Sequence, residues 1–274
     1  MSFAYFYWDP PREMFPFVLP LLNRPILWYG FFFALGFFLG YLILRRELRR
    51  TWDSNKARLL ADRITLFVIL GAVIGARLGD LLFYQNLASY FHDPLGVVKV
   101  WEGGLASHGG AVGMLFALFI LSLLPKQGLP QLRWLALLDL VVVPTALAAA
   151  FIRVGNFINQ EILGRPTDLP WGVVFGHPLD GSRPEPRHPV QLYEAFFYLL
   201  IFALLMWGVP KWKKAGKTTG LFLILVFGFR FFIEFLKEEQ SSLLLGTSWF
   251  TMGQFLSLPF LLIGCYLFFR KDNK

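Results

Sequence analysis

Seven stretches of this 274-residue chain are apolar over about 20 residues each, the length a helix needs to cross a bilayer. They lie near 26–45, 61–85, 104–124, 132–153, 189–209, 218–236 and 252–269. Charge interrupts the second, at Arg77 and Asp80, and the fourth, at Asp139. The pattern predicts an all-α polytopic membrane protein, one integral-membrane domain over 1–274 with seven transmembrane helices. Composition points the same way. Hydrophobic residues make up 56% and charged residues 16%, against about a quarter charged in an ordinary soluble domain. That balance excludes disorder, collagen and coiled coil. It also leaves more apolar surface than a soluble globule could hide. No basic segment precedes the first stretch and no A-x-A-like site follows it, so it reads as a retained helix.

The Lys and Arg residues set an orientation. With the N-terminus outside, the short inside segments collect fifteen of them, from Arg45 and Arg46 to Lys271 and Lys274, and the outside segments seven. An even number of spans would place the basic tail outside, so seven spans with a cytoplasmic C-terminus fit best. The net charge of +8 is accounted for by these loops. Scattered as they are, the basic residues form no stripe, which argues against a nucleic-acid partner.

The polar residues inside the spans are unevenly distributed. Counting along each helix puts Tyr29, Arg77 with Asp80, His108, Arg153 with Asn156, and Arg230 with Glu234 in the outer half. The inner half has only Asp139 and the interfacial Arg63. A transport path needs polar groups through the full depth. This arrangement instead predicts a cavity open to the outer water phase, capped by a Gly- and Pro-containing loop at 157–188. An arginine within a bilayer costs roughly 2.5–3.5 kcal/mol on insertion scales, so three of them need a reason. Arg230 and Glu234 are spaced i,i+4, and Arg77 and Asp80 i,i+3. An ion pair that merely lets an Arg exist in lipid is the plain alternative for both. Arg153 has no acid at helical spacing before it. Glu161, Asp139 or a ligand anion remain as partners, and the planar fork of an Arg suits a phosphate.

Residues 152–165 read Ile-Arg-Val-Gly-Asn-Phe-Ile-Asn-Gln-Glu-Ile-Leu-Gly-Arg. Ending an apolar helix would need only the Gly and one Asn. The run resembles the signature of the prolipoprotein diacylglyceryl transferase family, a group of bacterial membrane enzymes. Further blocks agree in order: Trp28-Tyr29-Gly30, Gly75-Ala76-Arg77-Leu78-Gly79, the run Trp101 to Gly110 around His108, His188-Pro189-Val190-Gln191-Leu192-Tyr193-Glu194, and Arg230 to Glu234. Two positions depart from the family pattern: Ile152 and Gln160 stand where glycine is usual.

The resemblance implies transfer of a diacylglyceryl group from phosphatidylglycerol to the lipobox cysteine of a preprolipoprotein signal peptide, the first step of bacterial lipoprotein maturation. It implies a multi-pass protein of the bacterial inner membrane, with its active site on the outer, periplasmic side. Charge builds on the departing phosphate, so cations there lower the barrier. Arg153 and Arg230 are the candidates, Arg153 first on the phosphate. The nucleophile is the substrate thiol, and a base would raise its thiolate fraction. His108 is the first candidate, with Glu234 or no dedicated base as alternatives. Asn156, Tyr29 and Arg77 are candidates for binding the head group, and Gly104 and Gly164 for close backbone approach.

No cofactor or metal is called for, since the chain has four His and no H-x-x-x-H pair. Simpler accounts exist for several residues: His108 as a cap of the third helix, Tyr29 as an interfacial anchor, and Asn156 as a helix C-cap. His188 reads as a helix-start residue that orders the outer loop. Cys265, the single cysteine, lies away from every motif and reads as a packing or lipid-facing residue. A transporter would show an internal repeat, a lipid phosphatase would need its own nucleophile or metal cluster, and a purely structural seven-helix protein leaves the three arginines unexplained.

Overall fold

The apolar stretches form seven helices among the residues that this computed structural model describes, 4–19, 24–84, 104–124, 128–208, 214–238 and 251–271. They are α1 (Trp28–Leu48), α2 (Ser54–Phe83), α3 (Ser107–Leu123), α4 (Trp134–Asn159), α5 (Val190–Gly208), α6 (Lys217–Ile233) and α7 (Met252–Phe269). A 3-10 turn, Glu234–Leu236, extends α6. Six of the seven segments are long and apolar enough to span a membrane, and α3 is a shorter apolar helix. Two ends depart from expectation by more than three residues. α2 begins at Ser54 rather than 61, because Asp53 caps it by accepting bonds from the backbone of Asn55 and Lys56. α4 continues to Asn159, past the expected end at 153.

Short strands accompany the helices, which the apolar pattern does not announce. β1 (Phe6–Trp8) pairs in parallel with β4 (Val173–Phe175), which pairs antiparallel with β5 (Pro186–Arg187). β2 (Glu13–Leu19) and β3 (Arg24–Leu27) form a separate antiparallel pair. The outer-loop segment expected at 157–188 is therefore partly ordered as sheet.

The chain divides into two compact units, Tyr41–Val141 and Met1–Gly40 with Val142–Lys274. In the first, α2 and α3 are joined through glycine. A Cβ on Gly75 would lie 2.7 Å from the Gly113 Cα, and one on Gly79 would lie 2.8 Å from the Gly109 Cα. Small residues at i,i+4 let two membrane helices touch backbone to backbone, where van der Waals packing replaces the missing hydrophobic drive. Leu48, Ala57, Leu60, Ala61, Ile64, Leu118 and Leu137 fill the core of this unit.

In the second unit, α6 and α7 repeat the device. A Cβ on Gly220 would meet the Phe268 backbone at 2.7 Å, and one on Gly264 the Leu223 Cβ at 2.9 Å. Phe197 of α5 stacks on Phe229 of α6, and Phe227 of α6 on Phe260 of α7, with centroids 3.9 and 4.4 Å apart. α7 starts with a reciprocal cap between Thr251 and Gln254, and the Gln254 amide also donates to the Phe231 carbonyl at 3.2 Å. Cys265 is exposed on this helix.

Candidate active site

Because α4 runs on to Asn159, Arg153 and Asn156 lie inside the helix, one turn apart, and Asn156 is not its cap. Arg153 Nη1 donates to Asn156 Oδ1 at 3.1 Å. The Asn156 amide in turn donates to Glu161 Oε1 at 2.7 Å. Asn156 thus serves as a neutral relay, accepting from a cation and donating to an anion. Neither acid considered from the sequence makes the ion pair with Arg153. It is made by Glu194 of α5, whose Oε2 lies 3.0 Å from Arg153 Nε. The contact is off hydrogen-bond angle. Arg153 also shares a side-chain hydrogen bond with Tyr198.

Glu194 is 1% exposed, and its other oxygen accepts from Lys237 Nζ at 2.8 Å. A buried carboxylate thus lies between two cations, each from a different element, which offsets the cost of burying it. Burial pushes the Lys237 ammonium below its ordinary 10.5, and Glu194 opposes that shift. The sequence held a signal for Glu194 and Tyr198. Gln191, Glu194, Tyr198, Ile201 and Leu205 recur at helical spacing, and all are buried. Polar residues on the buried stripe of an apolar helix need partners. The Gln191 amide finds one in the Glu161 carbonyl, at 2.8 Å. Lys237 carried no such signal.

Gly164 and its neighbours hold the segment after α4 to the end of α6. Gly164 bridges Lys237, Arg165 N donates to the Leu236 carbonyl at 2.8 Å, and Arg165 Nε donates to the Lys237 carbonyl at 3.0 Å. A Cβ on Gly164 would collide with the His188 carbonyl oxygen. His188 donates through its backbone N–H to the Arg165 carbonyl at 3.1 Å, while its ring Nδ1 is buried without a hydrogen bond, and burial lowers its imidazole below the ordinary 6.5. Gly155 of the signature has a comparable reason. A Cβ there would lie 2.9 Å from the Tyr29 ring. Tyr29 is thereby placed where it interacts electrostatically with Glu161 and Arg153.

Arg230 differs. Among the described residues its guanidinium makes no hydrogen bond or ion pair, although it acts electrostatically on Tyr198. Glu234 does not pair with it. The Glu234 carboxylate rests on Gly253, where a Cβ would collide with it, and its Oε2 is buried with no hydrogen bond. The i,i+4 ion pair that would have explained Arg230 as structure is not formed.

In the other unit, Arg77 and Asp80 do pair, at 3.6 Å, both nearly buried. Arg77 Nη1 also donates to the Gly104 carbonyl at 3.0 Å. Gly104 has φ +70°, and a Cβ on it would strike both side chains. Ala106 N donates to the Ala76 carbonyl at 2.9 Å, which holds the start of α3 against α2. His108 is exposed in the first turn of α3, its ring 5.7 Å from those of Phe83 and Tyr84. The N-cap position is Ala106 and no side chain caps the helix, so His108 is not spent on capping.

The departure at Gln160 has a visible structural correlate. Its φ is +56°, the left-handed region that favours glycine. The glutamine makes bonds that a glycine could not. Its amide donates to Asp9 Oδ1 at 2.9 Å, and its carbonyl oxygen accepts from His177 N at 2.7 Å. Asp9 and His177 Nδ1 are 2.7 Å apart. Trp8 Nε1 donates to the Phe157 carbonyl at 3.0 Å, and the two rings stack. The first strand is thus fastened to the end of α4, although residues 4–19 carry no sequence motif that announces it.

Among the described residues, no group of three or more His, Cys, Asp and Glu is placed to hold a metal. A family profile described as prolipoprotein diacylglyceryl transferase matches residues 16–270. Curated relatives named phosphatidylglycerol–prolipoprotein diacylglyceryl transferase include one from Tolumonas auensis, 42% identical over 92% of this chain and 93% of the relative. One from Chloroherpeton thalassium is 39% identical over 98% and 95%. One from Protochlamydia amoebophila is 37% identical over 98% and 96%.

Proposed function

The chain belongs to the prolipoprotein diacylglyceryl transferase family, and from that membership we propose how its residues carry the reaction. It is a multi-pass membrane transferase of a bacterial family. It moves the diacylglyceryl group of phosphatidylglycerol to the lipobox cysteine of a preprolipoprotein. In the proposed mechanism the sulfur attacks the glycerol carbon that bears the phosphate. A C–S bond forms, the C–O bond breaks, and its electron pair leaves on the phosphate oxygen as glycerol phosphate. The thiol proton passes to a base.

Arg153 is the primary phosphate ligand, oriented by Glu194 and Asn156. Arg230 meets the charge that develops on the leaving group. The observation that carries this reading is Arg230 itself, a guanidinium on an apolar helix with no protein anion bound to it among the described residues. Such a charge is costly in lipid unless a ligand anion completes it. Asn156 and Tyr29 orient the head group. Gly164 lets the loop after α4 approach closely, and Arg77 holds the Gly104 turn that precedes α3. His108 takes the thiol proton, supported locally by its exposed ring, and Glu234 is the alternative acceptor. The membrane is the bacterial inner membrane, with the N-terminus and the site on the outer side, as the loop charges favour. The chain works as one integral domain without a cofactor.

The test is transfer in liposomes with phosphatidylglycerol, a lipobox peptide and the same peptide with its Cys changed to Ser. Glycerol phosphate released only with the Cys peptide is the expected result. Release without any peptide would make the protein a lipid hydrolase instead.

A further inference from the structure

We propose that Lys237 is a positioning residue for the transfer: by occupying one oxygen of Glu194, it keeps that carboxylate from closing on the Arg153 fork and so leaves Arg153 open to the lipid phosphate. The inference rests on reading Arg153 as the phosphate ligand.

Glu194 has two oxygens and two cations to serve. Oε1 takes Lys237 Nζ at 2.8 Å and Oε2 lies 3.0 Å from Arg153 Nε. A carboxylate facing a guanidinium prefers two parallel bonds, fork to fork. Here it meets Arg153 through one oxygen, because the other is taken. Arg153 Nη1 is directed to the neutral Asn156 instead, and its further side-chain hydrogen bond goes to the neutral Tyr198. The charge count agrees. Within the Lys237–Glu194–Arg153 group two cations share one anion, and the acids beyond it, Glu161 past Asn156 and Glu234 acting on Lys237, are not bonded to Arg153. Without Lys237 the pair Glu194–Arg153 would be neutral, and Oε1 would be free to turn onto the guanidinium.

The place of Lys237 suits such a part. It is the residue that follows the 3-10 turn ending α6, and it is 7% exposed. Its backbone bridges Gly164 and accepts from Arg165, the last two residues of the signature run. The ammonium reaches Glu194 from a segment fastened to that run. By sequence alone it counts merely as one cation of an outer segment.

The experiment uses the full chain in nanodiscs and reads two things: retention of phosphatidylglycerol without peptide, and transfer kinetics with it. Lys237→Met should weaken lipid retention and raise KM for the lipid by roughly tenfold or more, the size of one charge-assisted hydrogen bond. Lys237→Arg should recover most of this, since it can still hold Oε1. In a Glu194→Gln background Lys237→Met should add little, because the anion to be restrained is gone. A Lys237→Met protein that retains and turns over lipid like wild type would overturn the proposal. So would an equal loss in the Glu194→Gln background, which would make the lysine merely structural. Should Lys237→Met fail to insert, Lys237→Gln takes its place in the same comparison. Wild-type protein that retains the lipid yet releases no glycerol phosphate with the Cys peptide would sink the transferase reading, while the retention measurement still decides Lys237.

Discussion

Arg77 and Arg153 sit on apolar helices in different units, and each is provided for differently. Arg77 has an acid one turn further along its own helix and a carbonyl from the segment that leads into the next one. Arg153 draws on its own helix for Asn156, but its ion pair and its second layer come from Glu194 and Lys237. The α2–α3 pair around Arg77 is held by backbone contact at glycines. The surroundings of Arg153 are held by side chains that share protons and charge. The first arrangement is closed and stable on its own terms. The second leaves capacity over, with Glu194 divided between two cations and Arg230 uncommitted. An arginine on an apolar helix with no protein anion, as Arg230 is among the described residues, is costly in lipid until an anion meets it.

The sharpest way to break that contrast is to remove the arginines. Arg230→Ala should lower turnover by about a thousandfold or more, the cost of losing a preorganised charge at the leaving group. Its resistance to unfolding should stay within about 1 kcal/mol of wild type, since no ion pair is lost. Arg153→Lys should recover little activity relative to Arg153→Ala, because one ammonium cannot replace the fork. Arg77→Met should do the reverse of Arg230→Ala. It removes the cation paired with the nearly buried Asp80 and should cost about 3–5 kcal/mol of stability, read by denaturant unfolding in micelles. If Arg230→Ala destabilises the protein as much as Arg77→Met does, the distinction between the two arginines is wrong.

Gly75→Leu sharpens the other side of the comparison. It forces α2 and α3 apart and should cost about 1–3 kcal/mol, with a further loss of activity only as far as folded protein is lost. The smallest effect concerns the fastening of residue 9 to the segment after α4. Hydrogen bonds from His177 and Gln160 hold the Asp9 carboxyl below its ordinary 3.8. A lowered carboxylate value stabilises the folded form above the unfolded value, and that contribution is lost as the pH falls through the folded one. Amide exchange around His177 should therefore quicken below about pH 4, and Asp9→Asn should flatten that dependence. An unchanged pH profile in Asp9→Asn would show that the contact does not hold the loop.

How much could be read without the structure depends on how far apart the partners lie in the chain. The Arg77–Asp80 pair was legible because both residues are on one helix at i,i+3. The same rule pointed to Arg230 with Glu234, and there it misled. Glu234 sits where α6 tightens into a 3-10 turn, and its carboxylate packs against Gly253 of α7. Glu194 ends the run His188 to Glu194 that resembles the family, yet nothing in that run says that it faces Arg153. The β1 contact with β4 joins residues more than half the chain apart, and no periodicity in 4–19 announces it.

By itself the sequence determined the seven apolar helices, the family, and the positions in those helices where charge would have to be explained. Hydropathy and helical period are properties of a continuous segment, so they can be read along the chain. The tertiary structure decided which charge meets which: Glu194 between Arg153 and Lys237, Glu234 apart from Arg230, and Gln160 on Asp9. Those choices depend on where helices and loops distant in sequence come to lie, and in a low-dielectric interior a buried ion must find a partner within a few ångströms whatever its place in the chain.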